Sequence, residues 1–322
     1  MLKFLAAAVA ALIATSAVAQ SYPSRPVRVI LPFPAAGLLE GMTRAIGQQL
    51  TEATGQPMLI ENRPGASQII GMQACAKSPP DGYTLCMATA DSFSYNPHLF
   101  TSLPFDPDAD FVPITNLVWI QGLIVAHAAA PFGSYGELVT FAKANPGKVN
   151  WGTWGSASIP EVYMSWINHN AGVRITPIPY KGAGQAYPAL VANEVQVTYI
   201  GIGQALGHIK SGKVKPIAIT GGRPAASLPQ VPTLEAAGGD PGLSAWYGVF
   251  APAKTPRAII VLVHAELAKA LKAPKVQEMI RSLYMEPDGM PPAEFAAFLK
   301  KDRANAGRVF RAIGLKPSDA PS

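Results

Sequence analysis

Val27-Arg-Val-Ile-Leu-Pro-Phe-Pro-Ala-Ala-Gly37, running on into Leu38-Leu-Glu-Gly-Met-Thr-Arg-Ala-Ile-Gly-Gln-Gln-Leu-Thr-Glu-Ala-Thr54, is the stretch on which the fold turns. Val27 to Phe33 is a short apolar, β-branched run of the kind that forms a buried strand, and Pro34 ends it. Ala35-Ala36-Gly37 makes a loop, and a helix follows from about Leu38 to Thr54. A strand, a short loop and a helix form the opening of a parallel α/β unit.

The same alternation continues outward. Met58 to Glu61 reads as a strand, Asn62 to Ala66 as a turn, Gln68 to Lys77 as a helix, and Tyr83 to Ala88 as a third strand after the turn Pro79-Pro80-Asp81-Gly82. Asn96 to Pro113 is rich in Pro, Asp and Phe without periodicity and reads as a long surface connection. Thr115 to His127 is apolar and strand-like, and is the expected crossing into a second domain. A second α/β set follows, with strands at 149–151, 175–178, 195–200 and 215–220 and helices at 135–145, 159–170, 185–192 and 204–211. Ser244 to Ala251 is the expected return crossing, and tail helices near 257–272, 273–284 and 292–313 should pack back on the first domain. The expected division is residues 1–20 as a leader, 21–124 plus 245–322 as a discontinuous first domain, and 125–244 as the second. Two crossings between two lobes make a hinge with a cleft, a geometry suited to closing around a ligand.

The N-terminus has Lys3, the apolar run Phe4 to Ile13, and the small residues Ala17-Val18-Ala19 at a cleavage position, which together read as a secretory signal peptide. No later apolar stretch reaches the roughly 20 residues that span a bilayer. The formal charge of +6 over 322 residues is carried by scattered Lys and Arg, with no basic run or stripe. Nucleic acid is therefore not the expected partner, while a mild positive field suits an anionic ligand. Export would permit a bridge between Cys75 and Cys86. Both stand beside apolar residues, however, and the expectation is two buried free thiols. With no CxxC pair and no His cluster, no metal is expected.

The chain has no Gly-x-Ser-x-Gly, His-Glu-x-x-His or phosphate-cradling P-loop motif, and its five histidines (His98, His127, His169, His208, His264) are scattered. Gly201-Ile-Gly-Gln-Ala-Leu-Gly207 sits between a strand and a helix, as a dinucleotide loop would. It is one residue too long, though, and the ribose-binding acid is missing at the next strand end, where Gly221-Gly222-Arg223 stands. No cofactor is expected. Several strand ends open into helices, and helix N-termini hold carboxylates through free backbone N–H groups. Ser156 and Ser158 add hydroxyls before such a helix, as ligand contacts or as N-caps.

An ordered set of landmarks carries a resemblance. They are Tyr22-Pro-Ser-Arg-Pro26, Pro32-Phe33-Pro34, Glu61-Asn-Arg-Pro-Gly65, Pro80-Asp-Gly-Tyr-Thr84, Asn96-Pro97, Pro179-Tyr-Lys-Gly182, His208-Ile-Lys-Ser-Gly212, Val231-Pro-Thr233, Trp246-Tyr-Gly248 and Ala251-Pro252. Over nearly all of its mature length the chain resembles the Bug, or tripartite tricarboxylate transporter, substrate-binding proteins. The resemblance implies a two-domain type II periplasmic-binding-protein fold with an interdomain ligand cleft. It implies a periplasmic, monomeric receptor that does no chemistry, captures a small carboxylate and passes it to a two-component membrane permease. Carried over by position, the ligand contacts fall on Phe33, Ala35, Ala36, Gly37, Leu38 and Leu39; on Thr89 and Ser92; on Trp154, Gly155, Ser156, Ala157 and Ser158; on Tyr180 and Lys181; and on Tyr199, Ile200 and Gly201.

The chain departs from the family pattern where it matters for the ligand. The loop after Pro-Phe-Pro, usually Gly-rich and ending in Thr-Asp, is Ala35-Ala36-Gly37-Leu38-Leu39-Glu40, and the family's Asp at a cleft strand end is replaced by Ile200. Leu38, Leu39, Trp154 and Ile200 would make the cleft apolar, which points to an acid with an apolar or aromatic body such as terephthalate. If those residues face away, an ordinary aliphatic dicarboxylate is expected instead. A periplasmic sensor using the same site, or a secreted hydrolase, are the alternative functions.

Overall fold

The first strand, β1 (Val27–Leu31), is buried along nearly its whole length because it lies inside a sheet and is covered on both faces. The computed structural model describes residues 22–155 and 158–320, so the expected leader lies outside the described residues. From β1 the chain crosses through α1 (Leu38–Thr54) to β2 (Met58–Asn62), then through α2 (Ile69–Ala76) to β3 (Thr84–Thr89). Both β2 and β3 pair parallel with β1. Helix α1 buries Met42, Ile46 and Leu50 against this sheet, on one helical face at three-to-four spacing, and ends at Gly55 in the left-handed conformation (φ 71°). Each such side chain contributes about 1.5–3 kcal/mol of transfer free energy.

After β3 come a π-helical turn (Asp91–Tyr95), the short helix α3 (Asn96–Leu99), and then β4 (Phe111–Ile120). The connection expected on the surface is in fact anchored inside. Phe105 is buried and meets Phe111 edge-on at 5.6 Å, which an aperiodic sequence gives no means of foreseeing. At Gln121 the chain leaves the first sheet and enters β5 (Gly122–His127), an interior strand of a second sheet that runs antiparallel to both its neighbours. What reads in sequence as one apolar crossing, Thr115 to His127, is thus two strands of two sheets, with the passage at Gln121.

The second lobe contains α4 (Tyr135–Ala144), β6 (Asn150–Thr153), α5 (Ile159–Ala171), β7 (Thr176–Pro179), α6 (Ala183–Val191), β8 (Val197–Gly201), α7 (Ile202–Lys210) and β9 (Val214–Ile219). Its sheet runs β7-β6-β8-β5-β9. The chain then returns through residues 220–245 to β10 (Trp246–Pro252), which inserts antiparallel between β3 and β4. The tail adds α8 (Arg257–Ala270), α9 (Pro274–Ser282), the edge strand β11 (Met285–Pro287) and α10 (Pro292–Ala312), completing a first sheet of order β11-β4-β10-β3-β1-β2. Helices α8 and α9 pack with α1 over one face of that sheet, through Ile260, Val263, Leu267, Val276 and Ile280. Helix α10 packs over the other through Phe295, Leu299, Val309 and Phe310.

Cys75 on α2 and Cys86 on β3 form a disulfide, with Cα atoms 6.1 Å apart, so the expectation of free thiols is corrected. Both side chains turn into the same interface between the helix and the sheet, at a separation a bridge can span, and the sequence does not reveal that they face each other. Among the described residues no helix is long and apolar enough to cross a membrane, and no cluster of His, Cys, Asp and Glu could hold a metal ion.

Candidate functional site: the cleft between the lobes

The two lobes meet around a cavity of about 280 Å³. The first lobe contributes Thr89, Ala90 and Asp91 from the end of β3 and the turn after it, with Tyr95, Ile120, Ala245 and Trp246. The second contributes Trp154 after β6, Ile159 and Tyr163 on α5, Tyr199 and Gly201 at the end of β8, and Thr220 and Gly221 after β9. Strand ends meet helix starts here because parallel strands deliver their C-terminal ends to one edge of each sheet.

The second-lobe wall is aromatic. Tyr163 and Tyr199 stack with ring centroids 5.4 Å apart and 16° between planes, and Trp154 stands edge-on to Tyr199 at 6.2 Å. Burial pushes the Tyr199 hydroxyl up to about 12 and that of Tyr163 well above the ordinary phenol value, so both are neutral donors at physiological pH. The Tyr199 ring fits only because residue 122 is glycine, since a Cβ there would lie 2.1 Å from its hydroxyl oxygen. The buried Nε1 of Trp154 has no hydrogen-bond partner among the described residues.

The first-lobe wall is polar, and Gln68 and Thr89 bond to each other in both directions. Ser92 Oγ donates to Gln68 Oε1 (2.7 Å), Gln68 Nε2 donates to Thr89 Oγ1 (2.8 Å), and Thr89 Oγ1 donates to Asp91 Oδ2 (2.8 Å). Gln68 Nε2 also lies 3.2 Å from Asp91 Oδ2. Gln68 reaches this position from a contorted turn in which Ala66, Ser67 and Gln68 all have positive φ (47°, 51° and 76°), held by a hydrogen bond from Asn96 Nδ2 to Ser67 O. Three consecutive left-handed non-glycine residues are costly and persist where the surroundings demand a side-chain placement. Desolvation raises the pKa of Asp91, opposed by the hydrogen bonds from Thr89 and Gln68.

The two passages between lobes are pinned to each other. Gln121 Nε2 donates to the carbonyls of Arg223 (2.8 Å) and Pro224 (3.0 Å), and the Arg223 guanidinium lies 4.3 Å over the Trp119 ring. Asp302 on α10, itself buried, accepts from Ser94 Oγ and from Trp246 Nε1 (3.0 Å) just behind the cavity. The lobes also touch away from the cleft: Val162 and Trp166 of α5 pack into the core beneath α10, and Tyr284 lies against Gly203 of α7.

Of the residues expected from sequence, Thr89, Trp154, Tyr199 and Gly201 line the cavity, and Ser158 with Trp154 lines an adjoining recess. Ser158 Oγ donates to Gly155 O (2.7 Å) and accepts from the Trp154 N–H (3.2 Å), so it closes the Trp154 turn and makes no cap bond to α5. Gly155 adopts φ 96° within that turn, while Ser156 and Ala157 lie outside the described residues. Ser92 is buried beneath the wall, where its hydroxyl donates to Gln68 and does not reach Asp91 itself.

The other expected residues stand elsewhere. Ile200 is buried in the second-lobe core, because alternation along β8 sends Tyr199 to the cleft and its neighbour to the opposite face. Phe33 and Leu39 pack on the first-lobe core, Ala35, Ala36, Gly37 and Leu38 are exposed, and Leu38 is 69% exposed. Tyr180 packs on the second-lobe core and Lys181 is exposed. The apolar cleft argued from Leu38, Leu39 and Ile200 is thereby corrected; of that set only Trp154 reaches the cavity. At the start of α1 the chain supplies its own anion: the buried Glu40 carboxylate accepts from the Ala36 N–H (2.6 Å) and from Arg44, which holds it below the usual carboxylate range.

Sequence reasoning missed Asp91, Gln68, Tyr163, Thr220 and Gln121. Asp91 lies two residues past the end of β3 and Thr220 directly follows β9, so their positions were usable signals. Gln68, Tyr163 and Gln121 come together only through tertiary packing.

With this geometry in hand, known proteins offer comparison. Residues 42–315 match the TctC family, described as the tripartite tricarboxylate transporter family receptor. Protein BugT of Bordetella pertussis is 30% identical over 306 residues, covering 94% of each chain. A solved R. palustris protein with adipate superposes with a TM-score of 0.75 at 27% identity, covering 92% of this chain and 100% of that one. MatC from Rhodopseudomonas palustris with bound malate gives 0.69 at 28% identity, covering 89% and 99%. Matched over most of its length and with two lobes around a cleft, the chain belongs to the tripartite tricarboxylate transporter family of periplasmic solute-binding receptors.

Proposed function

We propose that this receptor captures a small organic acid in the cavity between its lobes and delivers it to a two-component membrane permease after export to the periplasm. The observation that carries the reading is that one cavity is walled by residues of both lobes, Thr89 and Asp91 on one side and Trp154, Tyr163 and Tyr199 on the other. A ligand touching both walls favours the closed arrangement by its differential affinity, which is the signal a transporter can recognise. The moving units are residues 21–124 with 245–322 and residues 125–244, give or take the few residues by which the passage at Gln121 precedes that boundary.

The carboxylate contacts in this reading are on the second-lobe side, the Thr220 hydroxyl and the backbone at Gly201, where α7 begins. Two relatives were solved with malate and adipate, which supports a carboxylate cargo. The aromatic wall of Trp154, Tyr163 and Tyr199 supports a flat or apolar body between the ends of the ligand, terephthalate-like acids included. A thermal-shift panel of aliphatic diacids, tricarboxylates and aromatic acids tests this. A bound acid at 100 times its Kd should stabilise the protein by about 2.7 kcal/mol. Silence across all three classes refutes the carboxylate reading.

A further inference from the structure

Asp91 is the only Asp, Glu, Lys, Arg or His side chain among the described residues that line the cavity. A dicarboxylate entering there would bring two negative charges toward a carboxyl group with no cation to offset them. The loop at the start of α1, which the resemblance gives as a ligand contact, is exposed and its Ala36 N–H is already taken by Glu40. The Gln68 amide donates to Asp91 Oδ2 (3.2 Å), and the Thr89 hydroxyl has Asp91 Oδ2 (2.8 Å) and Gln68 Oε1 (3.1 Å) as acceptors, so the groups around Asp91 present it as an acceptor. Every hydrogen bond that another described residue gives to the Asp91 carboxyl goes to Oδ2, which leaves Oδ1 with capacity to accept from the cavity.

We infer that the cargo carries a nitrogen-borne hydrogen-bond donor, an ammonium group, which pairs with Asp91, opposite a single carboxylate held by the second lobe. The class is an amino-carboxylic acid whose charges are separated by an apolar spacer lying along Trp154 and Tyr199. Asp91 acts as the specificity residue, and Gln68 and Thr89 position it. This rests on the reading of the cavity as the ligand site, and it differs from that reading in excluding dicarboxylates as the preferred cargo.

The test uses two matched pairs of probes on the full-length mature protein by titration calorimetry: adipate against 6-aminohexanoate, and terephthalate against 4-(aminomethyl)benzoate. The amino acid of at least one pair should bind about tenfold or more tighter than its diacid, as a charge-assisted hydrogen bond would give. Asp91→Asn, nearly the same shape, should erase that preference. Should Asp91→Asn fail to fold, Asp91→Ser serves as the second variant, and the preference of the unaltered protein already decides the ligand class. Tighter binding of the diacid in both pairs overturns the inference while leaving a carboxylate receptor in place. A preference for the amines that survives in the Asp91 variants overturns the role of Asp91. Failure of all four probes overturns the inference and counts equally against the carboxylate reading beneath it.

Discussion

Replacing Gly122 with alanine should push a methyl group into the wall of the cavity. The added Cβ would lie 2.1 Å from the Tyr199 hydroxyl oxygen, 2.2 Å from Cζ and 2.3 Å from Cε2, where carbon contacts normally begin beyond about 3.4 Å. The ring must therefore retreat by roughly 1 Å, and behind it stands Tyr163, stacked at 5.4 Å. Overpacking of this kind costs about 1–3 kcal/mol. Gly122 does not occupy the left-handed region that would penalise alanine by itself, so the cost should come from the clash alone. Urea denaturation of Gly122→Ala, Tyr199→Ala and the double variant isolates it. The double variant should be no less stable than Tyr199→Ala alone, a coupling of about 1–3 kcal/mol between neighbours. Gly122→Ala should also weaken binding of whichever acid the panel identifies. If Gly122→Ala costs as much without the Tyr199 ring as with it, the account of this wall is refuted.

Three further outcomes follow from the same contacts. Asp302 is buried and its pKa is raised chiefly by desolvation, so the folded protein keeps that proton to higher pH than the unfolded chain does. Its contribution favours folding below the ordinary aspartate range and is lost as pH rises through the raised folded value; Asp302→Asn should flatten that part of a stability-against-pH series measured with urea. Ser158→Ala removes the bonds to Gly155 O and from the Trp154 N–H, and should weaken acid binding by about 0.5–1.5 kcal/mol in calorimetry, with little change in overall stability. Reducing the Cys75–Cys86 disulfide should lower stability by about 2–4 kcal/mol in chemical denaturation with and without reductant.

The fold was legible because its signals are local. The β1–α1 stretch shows its strand run, its Pro stop and a helix matching Leu38–Thr54, and each later α/β step repeats that pattern. The site was legible only as far as strand ends mark it. Thr89, Trp154, Tyr199 and Gly201 come from strand ends and line the cavity. Ile200 misled because a change of residue type says nothing about which face of β8 it occupies, and one step along a strand reverses the side. Leu38 misled because the loop carrying it lies exposed beyond the cavity, with Glu40 filling the position an incoming anion would take. Tyr163 and Gln68 were invisible for a different reason. One sits on a helix whose buried face looks like any core face, and the other is delivered by an unusual backbone turn that composition does not announce.

The most direct test of the central claim is a crystal structure of the protein grown with the tightest binder of the acid panel. The account predicts ligand density between the Trp154–Tyr199 wall and the Thr89–Asp91 turn, touching both lobes. Density seated instead on the exposed Ala35–Leu38 loop, or touching one lobe only, would contradict it.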